Sequence, residues 1–227
     1  MKKDLILVIG ASGTVGTELV RLLKAEGHNV RTTTSKTPKD ASAVKVNLAT
    51  GEGVSAAFEG VDKAFLLSPP GYADHYAILS PLVQEAKRRG LKKVVLMTAL
   101  GANASDSTPF RRAEIELEQS GLAYNIIRPN WFLQNFHTFW VQGIREQGKI
   151  LLPAGRAKTS FIDARDISAV AAKLLTTERF DNRGFDLTGP KALDHDEVAQ
   201  AISGVTGKKI TYQEISPVDF KSGLVSA

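Results

Sequence analysis

The sequence predicts an α/β protein built on a doubly wound parallel sheet, with a smaller lobe toward its C-terminal end. Three observations carry this. Short apolar runs alternate with helix-period segments almost to residue 130, the pattern of successive βαβ units. The first run opens directly into three glycines, Gly10, Gly13 and Gly16, ahead of an amphipathic repeat. Beyond Pro129 the alternation loosens, which marks off a second kind of architecture. A length of 227 residues suits one large domain with an appended lobe and would cramp two independent domains. The expected division is a core over about residues 1–130 plus a returning strand near 184–188, with the lobe drawn from residues 131–180 and 190–227.

Strands are expected at residues 5–9, 29–34, 43–46, 63–67, 93–97 and 124–128, each a short apolar or β-branched run bounded by turn residues. The first helix carries Val15, Leu19, Leu22 and Leu23 on one stripe and stops at Gly27, a residue suited to a helix C-terminus. Further helices follow at 53–58, in a segment ending at Arg89, and at 109–119 before Gly121. In the segment ending at Arg89, Ser80-Pro81 reads either as a cap with proline in the first turn or as a kink inside a helix begun near Asp74. After Pro129 come an aromatic-rich helix over 131–147, a short strand at 150–152 and a helix over 166–176 capped by Asp166. "FDLTG" then reads as a strand, and "DHDEVAQAISGVTG" as a helix with Asp194 and Glu197 placed for a capping box. "KITYQEI" and a helix starting at Ser216-Pro217 close the chain, which stops inside that last pattern and leaves room for a continuation.

The composition, 43% apolar and 23% charged, is that of an ordinary globular chain and excludes disorder and fibre. The apolar run after Lys2 and Lys3 is too short for a signal peptide, and no stretch is long enough to span a bilayer. Cysteine is absent, so disulfides, thiolate nucleophiles and cysteine metal sites are excluded, and a cytoplasmic address is expected. The net charge of +5 concentrates at Lys87, Arg88, Arg89, Lys92 and Lys93. That run has no interleaved aromatics and ends a helix, where cations complement the dipole, so nucleic acid is not the expected partner. His28, His75, His137 and His195 show no paired metal-ligand spacing, and no metal is expected.

A glycine-rich turn between a first strand and a helix leaves backbone N–H groups unpaired where the helix dipole favours negative charge, so a pyrophosphate belongs there. Gly10 would turn the chain, Gly13 would admit the phosphate and Gly16 would let the helix pack on the sheet, in a Rossmann-like arrangement. Ser12 and Thr14 add hydroxyl donors. A nucleoside-triphosphate loop would need Lys and Ser or Thr after the last glycine, where the chain has Thr17 and Glu18. Between Gly27 and Asp40 no carboxylate is present to accept from a ribose 2′-hydroxyl; Arg31, Thr34, Ser35, Lys36 and Lys39 suit a 2′-phosphate instead. NADP rather than NAD is therefore the expected cofactor.

The stretches "GASGTVG", "VDKAFLLSPP", "KKVVLMTALGA", "SGLAYNIIRPNWFLQNF", "SFIDARDISAVAAKLL" and "FDLTGPKALDHDEVA" occur in an order and spacing that resemble the NmrA-like branch of the atypical short-chain dehydrogenase/reductases, which includes type 2 quinone oxidoreductases and triphenylmethane reductases. The resemblance runs nearly end to end. It implies that Gly10, Ser12, Gly13, Thr14, Val15 and Gly16 hold the pyrophosphate, that Ser35 and Lys36 face the 2′-phosphate and that Asn47 and Leu48 meet the adenine. Ser35 stands where relatives often carry arginine, and Asn47 where many carry aspartate. Leu67, Ser68, Pro69, Thr98 and Ala99 would line the path toward the nicotinamide, with Pro129, Asn130, Trp131 and Phe132 in the loop beside its ring.

The catalytic Tyr-x-x-x-Lys pair of the wider superfamily is missing. Tyrosines stand at 72, 76, 124 and 212, and four residues on lie Tyr76, Ser80, Arg128 and Ser216. At the aligned position the chain reads Phe110-Arg-Arg-Ala-Glu114. A ketone reduced by hydride becomes a strongly basic alkoxide that needs a positioned acid, whereas a quinone yields a phenolate-like anion with a pKa of about 10 that water can protonate. The expected reaction is thus NADPH-dependent hydride transfer to a quinone-like or other conjugated small-molecule acceptor, with no catalytic side chain assigned. Tyr72, Trp131, Phe132 and Phe136 are candidates to stack on a flat acceptor; aromatics at such spacing also fit a helix facing the core. His137 lies nearby and reads as structural, and Asp163, Arg165 and Asp166 read as a loop-to-helix junction. The other open reading is a non-catalytic NADP(H)-binding redox sensor.

Overall fold

A computed structural model describes residues 3–38 and 40–225. It separates into two compact units, one of Met1–Pro129 with Ala164–Leu187 and the other of Asn130–Asp163 with Thr188–Ala227. The first holds strands β1 (Leu5–Val8), β2 (Asn29–Thr34), β3 (Ala43–Lys45), β4 (Lys63–Leu67), β5 (Lys93–Met97), β6 (Ala123–Pro129) and β8 (Arg183–Leu187). They form one sheet in the order β3-β2-β1-β4-β5-β6-β8, and every pairing in it is parallel. Strand order reverses between β1 and β4, which pair through Ile6–Lys63, Leu7–Ala64 and Val8–Phe65. That reversal is the topological switch point of a doubly wound sheet.

Helices α1 (Thr14–Ala25), α2 (Val54–Ala57), α3 (His75–Arg89), α4 (Pro109–Glu118) and α5 (Ala164–Thr176) belong to the same unit. On α1 the apolar stripe Val15, Leu19 and Leu23 is buried, and a core of Leu7, Ile9, Leu66 and Leu96 with Phe58, Leu79 and Leu82 fills the sheet's other neighbourhood. Burying a leucine or phenylalanine side chain contributes about 1.5–3 kcal/mol, so this packing is what holds the strand ends in register. The ambiguity at Ser80-Pro81 resolves toward the longer helix: Asp74 caps α3 by accepting from the N–H groups of Tyr76 and Ala77, and Pro81 lies within it.

The second unit pairs β7 (Lys149–Leu152) in parallel with β9 (Thr211–Glu214) and packs α6 (His195–Thr206) and α7 (Pro217–Val225) around Phe136, Ile150, Leu152, Phe161, Val198 and Ile210. The capping box on α6 is present, with Asp194 accepting from the Glu197 N–H and Glu197 accepting from that of Asp194. Two expectations need correction. Residues 131–147 are not one helix: Leu133 N–H donates to Ile162 O at 2.9 Å and Ile162 N–H to Trp131 O at 3.0 Å, so the chain starts extended. It then makes a 3₁₀ turn at Leu133–His137 and a π turn at Gly143–Gln147. Helix α5 begins at Ala164, which puts Asp166 inside the first turn and not at the cap. It also groups with the sheet unit, although it falls in the stretch expected to form the lobe. The buried Ser168 explains the grouping, its Oγ lying 2.9 Å from Val15 O on α1 and 2.8 Å from its own Ala164 O. Among the described residues no helix is long and apolar enough to cross a membrane, and no group of three or more His, Asp or Glu is arranged to hold a metal.

Candidate functional site

A parallel sheet points the carboxyl ends of all its strands one way, and that edge collects most of the residues singled out from the sequence. The Gly10–Gly16 turn follows β1, Ser35 and Lys36 follow β2, and Asn47 and Leu48 follow β3. Leu67 ends β4 with Ser68 and Pro69 just beyond, Thr98 and Ala99 follow β5, and Pro129 ends β6. Six adjacent strands thus deliver them to one edge, with the switch point in the middle.

The glycine turn is shaped for a ligand that approaches main chain. Gly10 has φ +72°, and its N–H donates at 3.3 Å to Thr33 Oγ1. Gly13 N–H closes on Gly10 O at 2.9 Å, and Thr17 Oγ1 donates to Ala11 O at 3.2 Å. A Cβ on Gly16 would lie 2.1 Å from Gly10 O, so only glycine lets α1 come this close to the turn. Gly13 caps α1 without a side-chain bond, and the first turn carries no acidic residue. The N–H groups there keep the partial positive charge of the helix start, and exposed Ser12, Gly13 and Thr14 stand beside them. Val15 and Gly16 are buried and act through packing. Thr33 and Thr17, which brace the turn, were not singled out from the sequence.

At the end of β2, Ser35 and Lys36 are exposed, and Lys36 N–H donates to Thr34 Oγ1 at 3.1 Å. Arg31 departs from expectation. Its guanidinium donates to Ala57 O at 3.1 Å and to Glu59 O, so it ties down the end of α2 and is not free for a phosphate. Lys39 lies outside the described residues. Asn47 uses its Oδ1 to accept from the N–H groups of Ala49 and Thr50 at 3.0 and 3.3 Å, which shapes the turn after β3 and leaves its amide N–H₂ without that duty. Leu48 packs against the core.

Past β4 and β5 the side chains divide into two groups. Thr98 is buried and donates to Glu114 Oε1 at 2.6 Å, so its hydroxyl is turned inward. Glu114, with no solvent exposure, also receives Arg128 Nε at 2.9 Å and Nη2 at 2.8 Å, and Arg111 Nη1 at 3.0 Å. Burial alone would raise the Glu114 pKa; the bonds from Arg128, Thr98 and Arg111 outweigh it and hold the carboxyl below its ordinary range. Glu114 is therefore an ionised anchor of the β5–β6 strand ends. The second group faces the loop: Ser68 Oγ lies 2.9 Å from His75 Nδ1, and the imidazole stacks on Phe110 with centroids 4.1 Å apart at 8°. Tyr72 is exposed on the same loop.

In the second unit Asn130 Nδ2 donates to Ser160 Oγ at 3.0 Å, and its Oδ1 accepts from Trp131 N–H at 2.9 Å. Trp131 is 57% exposed, and its ring lies 5.9 Å from that of half-buried Trp140. Phe132 is half-buried and bridges to Ile162. Phe136 is buried, stacked between Trp140 at 4.8 Å and Phe161 at 5.1 Å, so it belongs to that unit's core and not to an open platform. His137 is exposed at the end of the 3₁₀ turn.

Comparison with known proteins agrees with this architecture. An NAD(P)H azoreductase of Xenophilus azovorans is 34% identical over 223 residues, covering 93% of this chain and 77% of its own length. Quinone oxidoreductase 2 of Escherichia coli is 23% identical over 237 residues, covering 98% of this chain and 82% of its own length. Among solved structures, the triphenylmethane reductase of Citrobacter sp. complexed with NADP(H) superposes with a TM-score of 0.82 at 23% identity, covering 97% of this chain and 82% of that one. The profile of the NmrA-like family matches residues 2–226. The chain belongs to the NmrA-like family.

Proposed function

We propose that this protein is an NADPH-dependent reductase that passes hydride to a quinone-like or other conjugated small-molecule acceptor, without a Tyr-x-x-x-Lys pair. The carrying observation is the uncapped start of α1 pressed against the Gly10 turn at the β1/β4 switch point, a place built for a dinucleotide pyrophosphate. The similar azoreductase and quinone oxidoreductase, both named for reduction of conjugated acceptors, support the reading.

In this reading the N–H groups of the first turn of α1, with the Ser12 and Thr14 hydroxyls, hold the pyrophosphate, and Lys36 with Ser35 holds the 2′-phosphate. Asn47 and Leu48 border the adenine, while Leu67, Ser68, Pro69, Ala99 and Pro129 border the nicotinamide half. Thr98 keeps the β5 end in place through Glu114. The family resemblance extends the cofactor set to Asn130, Trp131 and Phe132, and Tyr72 and Trp131, each exposed within its own unit, are the candidate flat faces for an acceptor. When bound, the reduced nicotinamide supplies the hydride. The protein contributes orientation, which alone is worth up to about 7–11 kcal/mol of barrier when the reacting atoms are well aligned.

The test is to incubate the purified protein with NADPH and a panel of quinones and azo dyes and follow absorbance at the NADPH band. Oxidation above the protein-free rate, slower with NADH, is expected. Tight NADP(H) binding with no turnover on any acceptor would overturn the reductase reading in favour of a redox sensor.

A further inference from the structure

We infer that Ser68 and His75 form a hydroxyl–imidazole relay that protonates the acceptor after hydride transfer; this rests on the reductase reading above. Three observations place it. Ser68 is the first residue past β4, and Leu67 before it lies against the glycine turn, a Cβ at Gly10 meeting Leu67 Cδ1 at 3.0 Å. The hydroxyl therefore stands at the switch point where a ligand lies outside the strand ends. The imidazole behind it is fixed from two sides, by the 2.9 Å Nδ1–Oγ contact and by the Phe110 ring stacked on its face. Finally, the hydroxyl level with Ser68 on the neighbouring strand is already engaged, Thr98 donating to Glu114, whose carboxylate is held by Arg128 and Arg111.

The proton's route follows from the donor rules of the two groups. With a neutral ring, Ser68 O–H donates to Nδ1 and points away from the crevice. With a protonated ring, Nδ1–H donates to Oγ, and the serine hydrogen is freed from the ring, its other protein contact being the long 3.5 Å approach to Pro69 O. An acceptor that had received hydride from a bound reduced nicotinamide would carry an electron pair on its nitrogen or oxygen. That pair takes the Ser68 hydrogen, Oγ takes the Nδ1 hydrogen, and His75 is left neutral until water reprotonates it. Burial lowers the His75 pKa from its ordinary value while Asp74 opposes that shift. On α4 the neighbour facing the ring is the neutral Phe110, and Arg112 of that helix sits over the Tyr76 ring at 3.9 Å.

Two measurements test the relay. The first is NMR titration of the imidazole signals, four in all, with His75→Gln identifying the one concerned. Ser68→Ala should shift that signal's titration midpoint; an unchanged midpoint would show that the pair does not form in solution and overturn the proposal. The second compares methyl red, whose reduced azo nitrogen is strongly basic, with menadione, whose hydroquinone anion has a phenol-like pKa of about 10 and takes its proton from water. Ser68→Ala and His75→Gln should each lower kcat on methyl red relative to kcat on menadione by about a hundredfold. Equal losses on both acceptors would reduce the pair to a structural role and sink the relay alone. A wild-type protein that reduces neither dye nor quinone would instead bring down the reductase reading, and the relay with it.

Discussion

Substituting Gly16 by alanine tests the geometry of the turn directly. The added Cβ would sit 2.1 Å from Gly10 O, 2.8 Å from Gly10 C and 2.9 Å from Ala11 Cα, where ordinary contact begins at 3.4 Å. All three obstacles are backbone, so no side chain can swing aside; helix and turn must separate by about an ångström. Overpacking of this kind costs about 1–3 kcal/mol, and for a chain of this size each kcal/mol lowers the melting temperature by about 2–4 °C. The same displacement carries the N–H donors of α1 away from a bound pyrophosphate. Losing one charge-assisted hydrogen bond of about 1.5–3 kcal/mol weakens NADPH binding by about 10- to 100-fold. Circular dichroism melts and calorimetric titration read the two effects separately. Gly204→Ala is the matched control: it lies within α6, its Cβ would meet nothing within 4 Å, and it should raise stability by about 0.5–1 kcal/mol. A Gly16→Ala protein that melts and binds NADPH like the wild type would refute the close-approach argument.

Three further outcomes are expected. Glu114→Gln removes the charge that Arg128 is paired with in the interior and should cost about 3–5 kcal/mol in urea unfolding, with Arg128→Met in the same background restoring part of it. Lys36→Glu should weaken NADPH binding by about 10-fold or more and NADH binding by less than about threefold, measured by titration, because only the former carries a 2′-phosphate. Acid should destabilise the fold through its paired carboxylates: Glu85 is held at about 2 by Arg88, with Arg89 adding to it against burial, and Glu114 is lowered as described. Their folded-state pKa values lie below the unfolded value of 4.5, so their stabilisation is complete above that pH and is lost as pH falls toward 2; urea midpoints should be nearly equal at pH 7 and 5 and clearly lower at pH 3.

The central strands of the sheet could be read from the sequence because buried parallel strands are nearly uninterrupted apolar runs, and β4 and β5 fall where those runs do. The Gly10–Gly16 turn was legible for a related reason, since three glycines between such a run and an amphipathic stripe have few other uses. What stayed hidden depends on pairing across distance. Residues 131–147 carry helix-compatible aromatics, yet Ile162, far along the chain, captures the backbone on either side of Phe132 and keeps the start extended. Arg31 looked like a phosphate ligand because its partners are carbonyl groups of Ala57 and Glu59, which leave no trace in side-chain identity. Glu114 registered as a departure from a motif, and only the fold shows it locked to Arg128 and Thr98. The Ser68–His75 contact spans a loop, "PPGYAD", whose path no periodicity specifies.

The sheet unit is discontinuous in sequence, since α5 and the edge strand β8 come only after residues 130–163 have been made. During synthesis the ribosome therefore releases β6 with one row of backbone donors and acceptors unmatched, and Asn125, whose amide reaches Phe180 O and Arg183 O, waits for the same partners. A nascent chain stalled between these points presents the bare β6 ladder to any passing strand, so truncation at the first unit boundary should yield aggregates, whereas genes ending after β8 keep β6 paired.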